Sequence, residues 1–256
     1  MKSAIKQGIR SVFGALGYSV RQLPQCPPEM SAEEWDLIQQ IISRQLTMVS
    51  VERLTSTLLA TKYVVSSGIE GAFVECGVWR GGNSILASCI FRKLNALDRG
   101  IFLFDTFSGM TEPTEADYQL QSGRPATSLF KGVFGRREEP ISFADLPEVT
   151  KNFDEFGFAT GKEIRFVKGD ILSTLKDSAC IPEKISVLRL DTDWYESTKL
   201  ELEVLYPRLS QGGVLIIDDY GDWAGAKKAV DEYFTRSGQR IFLQPIDYTG
   251  RIGVKV

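Results

Sequence analysis

Short apolar runs alternate with stretches of helical periodicity over residues 72–218, and this alternation limits the folds that are open to the chain. The runs that we predict as strands cover residues 72–78, 101–107, 163–169, 185–190 and 214–218. Helices are expected between and after them, at about 83–97, 144–157, 171–178, 196–209 and 223–235. Strands that are apolar on both faces need helices on both sides, so the pattern predicts an α/β fold with a doubly wound, mostly parallel sheet.

Both ends of the chain depart from this alternation. The apolar runs 240–246 and 251–256 flank the turn sequence DYTG, which is short enough only for an antiparallel hairpin. Residues 1–70 carry no strand pattern and have helical spacing instead. We therefore predict an N-terminal helical cap or lid over residues 1–70 and a sheet domain over residues 71–256.

Local signals add detail to this outline. The first 20 residues have the pattern of a basic amphipathic helix. Ser31 and Glu34 match a capping box, in which each side chain accepts a backbone N–H bond from the other residue. A second helix is expected to begin at Ser50. The stretch 108–140 is long and has no hydrophobic period, so we expect a lid or a mobile loop there.

The composition excludes several classes of function. The chain of 256 residues has no histidine, which rules out Ser-His-Asp and Cys-His catalysis and histidine-ligated zinc. Its formal net charge of −3 lacks the basic excess of a nucleic-acid-binding protein. Four scattered cysteines indicate reduced thiols, and no apolar run is long enough to span a membrane. We expect a cytoplasmic protein that uses carboxylates, Lys, Tyr or a metal held by oxygen.

A glycine-rich turn, ECGVWRGGNS, follows the first predicted strand from Glu75 to Ser84. Its glycines allow a ligand to approach the backbone, but the spacing is not the G-x-G-x-x-G of a dinucleotide site. Asp105 ends the next predicted strand, where a carboxylate can accept both hydroxyls of a ribose. Alternatively, the Asp105 carboxylate caps its own loop, and the sequence leaves ribose binding and loop capping both open.

Four aspartates lie at the ends of the fourth and fifth predicted strands: Asp191, Asp193, Asp218 and Asp219. Adjacent strands lie about 4.8 Å apart, so carboxylates at equivalent strand ends converge. Like charges brought together need a cation, and ligation by oxygen alone fits Mg²⁺. The alternative is that Asp218, Asp219 or Asp222 caps the following helix.

Tyr195 and Lys199 have the Tyr-x-x-x-Lys spacing of the catalytic pair in short-chain dehydrogenases. One helical turn separates such residues, so the lysine can lower the pKa of the tyrosine. The matching glycine fingerprint is absent, and a dehydrogenase is therefore the less favoured alternative.

Taken together, these segments resemble the macrocin O-methyltransferase family, whose members methylate sugar hydroxyls of macrolides and aminocoumarins and have relatives in bacterial surface-polysaccharide pathways. The segments that carry the resemblance are VECGVWRGGNS, LFDTFSGM, EPTEAD, VKGD, LRLDTDWYESTKLELEVLYPRLSQGGVLIIDDY and IDYTG. The resemblance runs from about Thr47 to the C-terminus and is most specific over residues 187–220.

The resemblance implies an S-adenosylmethionine- and Mg²⁺-dependent O-methyltransferase with a Rossmann-like methyltransferase sheet. The residues that match cofactor-binding positions are Glu75, Gly77, Asn83, Ser84, Asp105, Thr106 and Asp170. Asp191, Asp218 and Asp219 match the metal positions, and Asp193 matches the general base. Thr192 stands where family members commonly have glycine, and its β-branched side chain stiffens the backbone between metal ligand and base.

The implied partner is a small-molecule or glycan acceptor with vicinal hydroxyls, which a metal would hold in position. We expect a sugar hydroxyl of a glycan, a glycolipid or a glycosylated natural product. A catechol-type enzyme acting on an aromatic diol is the alternative with the same cofactor and metal. A non-catalytic scaffold is disfavoured because it has no need of clustered like charges. We expect no nucleic-acid partner, and the helical N-terminal region favours a homo-oligomer.

Overall fold

The computed structural model describes residues 25–134, 142–158 and 163–256, without the side chains of 131–134. The chain divides into two compact units, residues 1–36 and 37–256. The amphipathic helix predicted for the first 20 residues lies outside the described residues, and the domain division predicted at residue 70 stays a prediction. Within the described ranges no helix is both long and apolar enough to cross a bilayer.

The first two described helices begin where the sequence predicts. Helix α1 (Ala32–Ser43) follows a capping box: Ser31 Oγ accepts from the Glu34 N–H at 3.2 Å, and Glu34 Oε2 accepts from the Ser31 N–H at 2.9 Å. Helix α2 (Val51–Ser66) has Ser50 as its N-cap, whose side chain accepts a backbone N–H bond from the first turn. These bonds satisfy donors that would otherwise be left free at a helix N-terminus.

A single sheet organises the larger unit. Its strands are β1 (Ala72–Cys76), β2 (Ile101–Asp105), β3 (Ile164–Lys168), β4 (Ile185–Leu190), β5 (Leu209–Ile217), β6 (Gln244–Pro245) and β7 (Arg251–Val254). They lie in the order β3-β2-β1-β4-β5-β7-β6. Strands β1 to β5 pair in parallel, whereas β7 is antiparallel to both β5 and β6. The mostly parallel sheet with a C-terminal antiparallel hairpin is thereby confirmed.

The helices between the strands are also close to their predicted positions, with one addition. They are α3 (Gly82–Lys93), α4 (Ala126–Phe134), α5 (Leu146–Glu155), α6 (Ile171–Thr174), α7 (Tyr195–Leu205) and α8 (Ala224–Ser237). Helix α4 lies inside the stretch 108–140, for which the sequence predicts only a loop. With 9 residues it is too short to show a repeating apolar pattern, which explains the error.

The two faces of the sheet have different partners because successive strand side chains point to opposite faces. One set, which includes Val74, Leu188 and Leu215, forms a buried apolar cluster with residues of α7 and α8. The other set includes Glu75 and Arg189, which are register partners on β1 and β4. Helices α2 and α3 pack on each other, α2 against β5 and α3 against β1. The chain therefore places buried polar side chains on one face, directly below the strand ends.

Candidate active site

A cavity of about 410 Å³ opens at the C-terminal ends of β1, β2, β4 and β5. The strand register creates it: Leu190 pairs with Cys76 on one side and with Ile217 on the other, so Gly77, Asp191 and Asp218, which follow those residues, lie side by side. Ligands of open α/β sheets bind at this edge.

Three of the predicted aspartates meet in the cavity wall. One carboxylate oxygen from each of Asp191, Asp218 and Asp219 lies within 4.8 Å of the other two. The donor set consists of carboxylate oxygens, which suits a hard divalent cation such as Mg²⁺. The alternative of helix capping does not apply to them, because the N-cap of α8 is Trp223 and makes no side-chain cap bond.

A buried arginine contacts the same aspartates, and the sequence analysis missed it. Arg189 is 1% exposed, and its Nη1 donates to Glu75 Oε1 at 2.7 Å and to Asp191 Oδ2 at 2.8 Å. Its Nη2 donates to Asp218 Oδ1 at 2.6 Å. The signal that could have found it is a charged residue in the run ISVLRL, which the sequence predicts to be a buried strand. The cluster of carboxylates therefore has a protein cation on its inner side.

A second arginine approaches from helix α2. Arg53 Nη1 forms an ion pair with Asp218, and its Nε donates to Asp247 Oδ2 at 2.8 Å. Ser50 Oγ donates to the same Asp247 oxygen at 2.7 Å, and Arg53 Nη2 donates to Thr249 Oγ1. Partial burial acts to raise the pKa of Asp247, but the bonds from Arg53 and its other donors bring it down to about 2. Helix α2 and the C-terminal turn are thus tied to the aspartate cluster.

Asp193, the predicted base, lines the cavity in an uncommon backbone conformation, with a φ of 65°. Burial among protein atoms raises its pKa to about 8, and the charges of Asp191 and Asp218 act in the same direction. Hydrogen bonds with Asp219 and Trp223 act against this rise. A carboxyl group with a raised pKa that faces a cavity is suited to accept a proton from a bound hydroxyl.

Gly77, Asp105, Thr106 and Asp170 are the predicted cofactor residues that line the cavity. Gly77 has a φ of 82°, and a Cβ at this position would overlap the carbonyl oxygen of Asp191. The turn therefore requires glycine, which leaves the backbone open to a ligand. Asp170 is the N-cap of α6.

Asp105 uses most of its carboxylate for its own loops. Oδ2 accepts from the Val78 N–H at 2.6 Å and the Trp79 N–H at 3.1 Å, and Oδ1 accepts from the Phe107 N–H at 2.7 Å. This is the capping arrangement that the sequence left open as the alternative. Thr106 Oγ1 also lies 3.4 Å from Oδ1 but has a shorter bond, of 2.5 Å, to the Gly109 carbonyl oxygen. Since a carboxylate has about four acceptor positions, Oδ1 can accept one further bond when the Thr106 proton is on Gly109. Its contact with a ribose stays a prediction.

The other predicted cofactor residues, Glu75, Asn83 and Ser84, have buried side chains that do not line the cavity. Glu75 accepts from Arg189 and from Ser84 Oγ, while Asn83 Oδ1 accepts from Thr57 Oγ1 at 2.9 Å. They point to the α2 and α3 side of the sheet, so direct side-chain contact with a bound molecule would require these bonds to be exchanged. Their assignment to the cofactor stays a prediction.

The outer wall of the cavity comes from the stretch after β2, and a buried aspartate anchors it. Asp117 Oδ1 accepts from the Tyr195 N–H at 2.8 Å, and Oδ2 accepts from the Thr114 N–H at 2.8 Å. Asp117 thus holds this stretch against the N-terminus of α7. The rings of Trp194 and Trp223, both in the cavity lining, meet edge-on with centroids 5.0 Å apart.

Comparison with known proteins identifies this architecture. The model of the macrocin-O-methyltransferase (TylF) family matches residues 19–252. The chain belongs to this family. Among the relatives of this TylF-family chain, the 8-demethyl-8-(2,3-dimethoxy-alpha-L-rhamnosyl)-tetracenomycin-C 4'-O-methyltransferase of Streptomyces olivaceus is 33% identical over 227 residues, which cover 89% of this chain and 80% of the relative. The mycinamicin III 3''-O-methyltransferase of Micromonospora griseorubida is 32% identical over 204 residues, which cover 80% of this chain and 76% of the relative.

A solved structure agrees with this assignment to the TylF family. The O-methyltransferase NovP is 30% identical and superposes with a TM-score of 0.70, and the match covers 82% of each chain. The chain is therefore an O-methyltransferase, as the sequence motifs predict, and the non-catalytic scaffold is not supported.

In this TylF-family enzyme, the Tyr-x-x-x-Lys pair has a different role from the one considered above. Tyr195 Oη donates to Glu232 Oε2 at 2.7 Å, and the ammonium of Lys199 lies 5.8 Å from the Tyr195 ring centroid. Neither residue lines the cavity. The dehydrogenase alternative is therefore wrong, because the Tyr195 hydroxyl bonds Glu232 of α8 and neither side chain reaches the cavity at the strand ends.

Proposed function

We propose that the chain transfers a methyl group from S-adenosylmethionine to a sugar hydroxyl of a glycosylated small molecule or a glycan, with Mg²⁺ held by Asp191, Asp218 and Asp219. The observation that carries the proposal is the meeting of these three carboxylates in one cavity with the open turn at Gly77 and with Asp193. Cofactor, metal and base positions then surround one volume in which two substrates can meet.

The acceptor class is supported by the relatives and by the cavity wall. The Streptomyces olivaceus relative is named for a rhamnosyl tetracenomycin and the Micromonospora griseorubida relative for mycinamicin III. The side chains of Met110, Leu129, Phe130, Trp194 and Trp223 give this chain an apolar, aromatic outer wall. Such a wall suits a ring-shaped acceptor with apolar faces, while the aspartates face its hydroxyls.

The cofactor would supply an electrophilic methyl group, and the divalent cation would lower the pKa of the acceptor hydroxyl. Asp193 takes the hydroxyl proton on its carboxylate, which its raised pKa favours. Arg189 fixes the orientation of Asp191 and Asp218 through its bonds to both. Asp117 holds the outer wall of the cavity against the N-terminus of α7.

Calorimetric titration with S-adenosylhomocysteine, with and without Mg²⁺, tests the cofactor. We expect micromolar binding, and no detectable binding in either buffer would contradict the proposal. Methyl transfer is then measured on a panel of three acceptors: the rhamnosyl tetracenomycin named for the relative, mycinamicin III, and 3,4-dihydroxybenzoate. Turnover of a glycosylated acceptor supports the proposal, whereas turnover of the dihydroxybenzoate alone would favour the catechol-type alternative.

Vicinal hydroxyls on the acceptor, a homo-oligomer, a cytoplasmic location and a cap formed by residues 1–70 stay predictions. The requirement for vicinal hydroxyls is tested by comparing turnover of a panel acceptor with turnover of a derivative that lacks one of the two hydroxyls. Because the metal would bind both oxygens, we expect the derivative to be a poor substrate. Light scattering of the purified chain measures the oligomeric state.

A further inference from the structure

Thr192 separates two functional positions, the metal-site residue Asp191 and the proposed base Asp193. Its hydroxyl is not free: Thr192 Oγ1 lies 2.8 Å from Glu201 Oε1 and donates to it. Glu201 belongs to helix α7, is 0% exposed and does not line the cavity. A fully buried carboxyl group from the helix after β4 therefore reaches back to the residue next to the base.

Few polar contacts account for the buried position of the Glu201 carboxyl group. Among the described residues its Oε2 has no hydrogen-bond partner, so the bond to Thr192 is the one that its carboxyl group is seen to make. Burying a carboxyl group with so few partners costs free energy, and an apolar side chain of similar size would cost less. Burial raises the pKa of Glu201 to about 8, so it need not add another negative charge to the aspartate cluster.

The backbone beside this bond is constrained. Asp193 has a φ of 65°, a left-handed conformation that is strained for a residue other than glycine. The carbonyl oxygen of Thr192 accepts from the Trp194 N–H at 2.7 Å, which closes a tight turn around Asp193. A β-branched residue has few χ1 states, so a fixed hydroxyl also fixes the backbone that leads into this turn.

We propose that Thr192 and Glu201 form a positioning pair, in which the buried hydroxyl–carboxyl hydrogen bond holds the turn so that Asp193 presents its carboxylate to the acceptor hydroxyl. The proposal rests on the proposed function of Asp193 as the base. Glu201 contacts no reacting atom and acts only through Thr192. A pair that served only the stability of the fold would leave turnover by the folded enzyme unchanged.

The first test is a set of kinetic measurements on the full chain, with the panel acceptor that the wild type methylates fastest. Thr192→Val and Glu201→Leu each remove the bond while keeping side-chain size, and we expect each to lower kcat by about 10- to 100-fold. The KM for S-adenosylmethionine should stay within about twofold, because the cofactor turn is untouched. Thr192→Ser keeps the hydrogen-bond donor and Glu201→Gln keeps the acceptor, so each of these variants should have a kcat near the wild-type value.

The double variant Thr192→Val/Glu201→Leu shows whether the two residues act as a coupled pair or independently. If the bond carries the effect, the double variant has the same kcat as either single variant, because the second change has nothing left to remove. The matched control is Thr61→Val, which removes another buried threonine hydroxyl whose bond stays within α2, and its kcat should be unchanged. Multiplying losses in the double variant, or wild-type kcat in Thr192→Val and Glu201→Leu, would overturn the proposal.

Hydrogen exchange gives a readout that needs no acceptor. In the ligand-free chain we expect Thr192→Val and Glu201→Leu to speed amide exchange at the turn around Asp193 by about tenfold, and Thr61→Val to leave it unchanged. Unchanged exchange in both pair variants would also contradict the inference. The role of Asp193 as the base fails on a separate result, a wild-type kcat in Asp193→Asn, and the proposed function fails if S-adenosylhomocysteine does not bind; neither result depends on the pair variants.

Discussion

Arg189 Nη2 lies 2.6 Å from Asp218 Oδ1, and Nη1 of the same guanidinium lies 2.8 Å from Asp191 Oδ2, so one buried cation bridges two of the proposed metal ligands. Two crowded carboxylates are thereby held in fixed orientation by the chain itself. Asp219 is not among the partners of Arg189, and burial and the neighbouring aspartates raise its pKa well above the usual value. A divalent cation bound on the cavity side would supply the positive charge that Asp219 does not receive from Arg189, and would favour its ionised form.

Removal of Arg189 is expected to destabilise the fold strongly. Arg189→Met leaves Glu75, Asp191 and Asp218 without their shared cation, and we expect the free energy of unfolding to fall by about 3–5 kcal/mol. Urea denaturation measures this change. The control is Arg44→Met, which removes an exposed ion pair with Glu155 and should cost less than about 1 kcal/mol. Equal losses of unfolding free energy in the two variants would show that the buried network stabilises the fold no more than an exposed ion pair does.

Asp191→Asn tests the metal site. The amide loses the charge that a divalent cation needs, so we expect turnover to be abolished and the far-UV circular dichroism spectrum to be retained. Binding of Mn²⁺, followed by electron paramagnetic resonance, should weaken in parallel. Asp222→Asn is the matched control, because Asp222 bonds Gln119 and lies outside the cluster. Near-normal turnover in Asp191→Asn would contradict the assignment of the metal.

Asp193→Asn tests the base. An amide cannot take the acceptor proton, so kcat should fall by about 10²- to 10⁴-fold. Binding of S-adenosylhomocysteine and Mn²⁺, measured by calorimetry, should remain close to the wild-type value. A wild-type kcat would mean that another group accepts the proton.

Gly225→Ala tests the anchor of the outer wall. A Cβ at Gly225 would overlap Asp117 Oδ1 and lie 2.9 Å from the Tyr195 nitrogen, so Asp117 would have to leave the N-terminus of α7. We expect a loss of about 1–3 kcal/mol in the free energy of unfolding, measured in urea. Adding Asp117→Ala removes the overlapping carboxylate, so the double variant should be less destabilised than the two losses added together. A simple sum would argue against this contact.

Asp247 gives a pH-dependent stability. Its pKa in the folded chain is about 2, below the ordinary value of 3.8, so its charged form stabilises the fold above about pH 4. Asp247→Asn should therefore reduce the free energy of unfolding at pH 7 by about 2 kcal/mol. The difference from the wild type should shrink as the pH falls from about 4 towards 2, since both chains then carry a neutral group. A difference that is constant with pH would contradict this role.

The sequence predicts the sheet and the meeting of the aspartates because both depend on local pattern. Apolar runs locate the strands, and the end of each run locates a carboxylate at the common edge. The partners of those carboxylates come from distant parts of the chain: Glu75 pairs with Arg189 across two strands, and Arg53 reaches Asp247 from helix α2. An arginine inside a predicted buried strand is a local signal for Arg189 itself, but no local pattern identifies the partners of either arginine.

The glycine turn shows a second limit of sequence reasoning. Residue type alone does not say to which face a side chain points, and Asn83 and Ser84 belong to the face of α3 that is buried in the protein. Strand alternation does predict that Glu75 and Cys76 point in opposite directions. Neither direction leads to the cavity, because helices cover both faces and leave Glu75 and Cys76 buried.

The turn at Gly77 and the strand end at Asp191 are in direct backbone contact, since no side chain fits between them. Substitution of side chains cannot change the distance between these two backbones, because main-chain atoms make the contact. In the proposed complex, the spacing between methyl donor and acceptor oxygen would therefore follow from the strand register. New acceptor preferences in relatives of this chain would arise in the outer wall, whose side chains can change without altering that spacing.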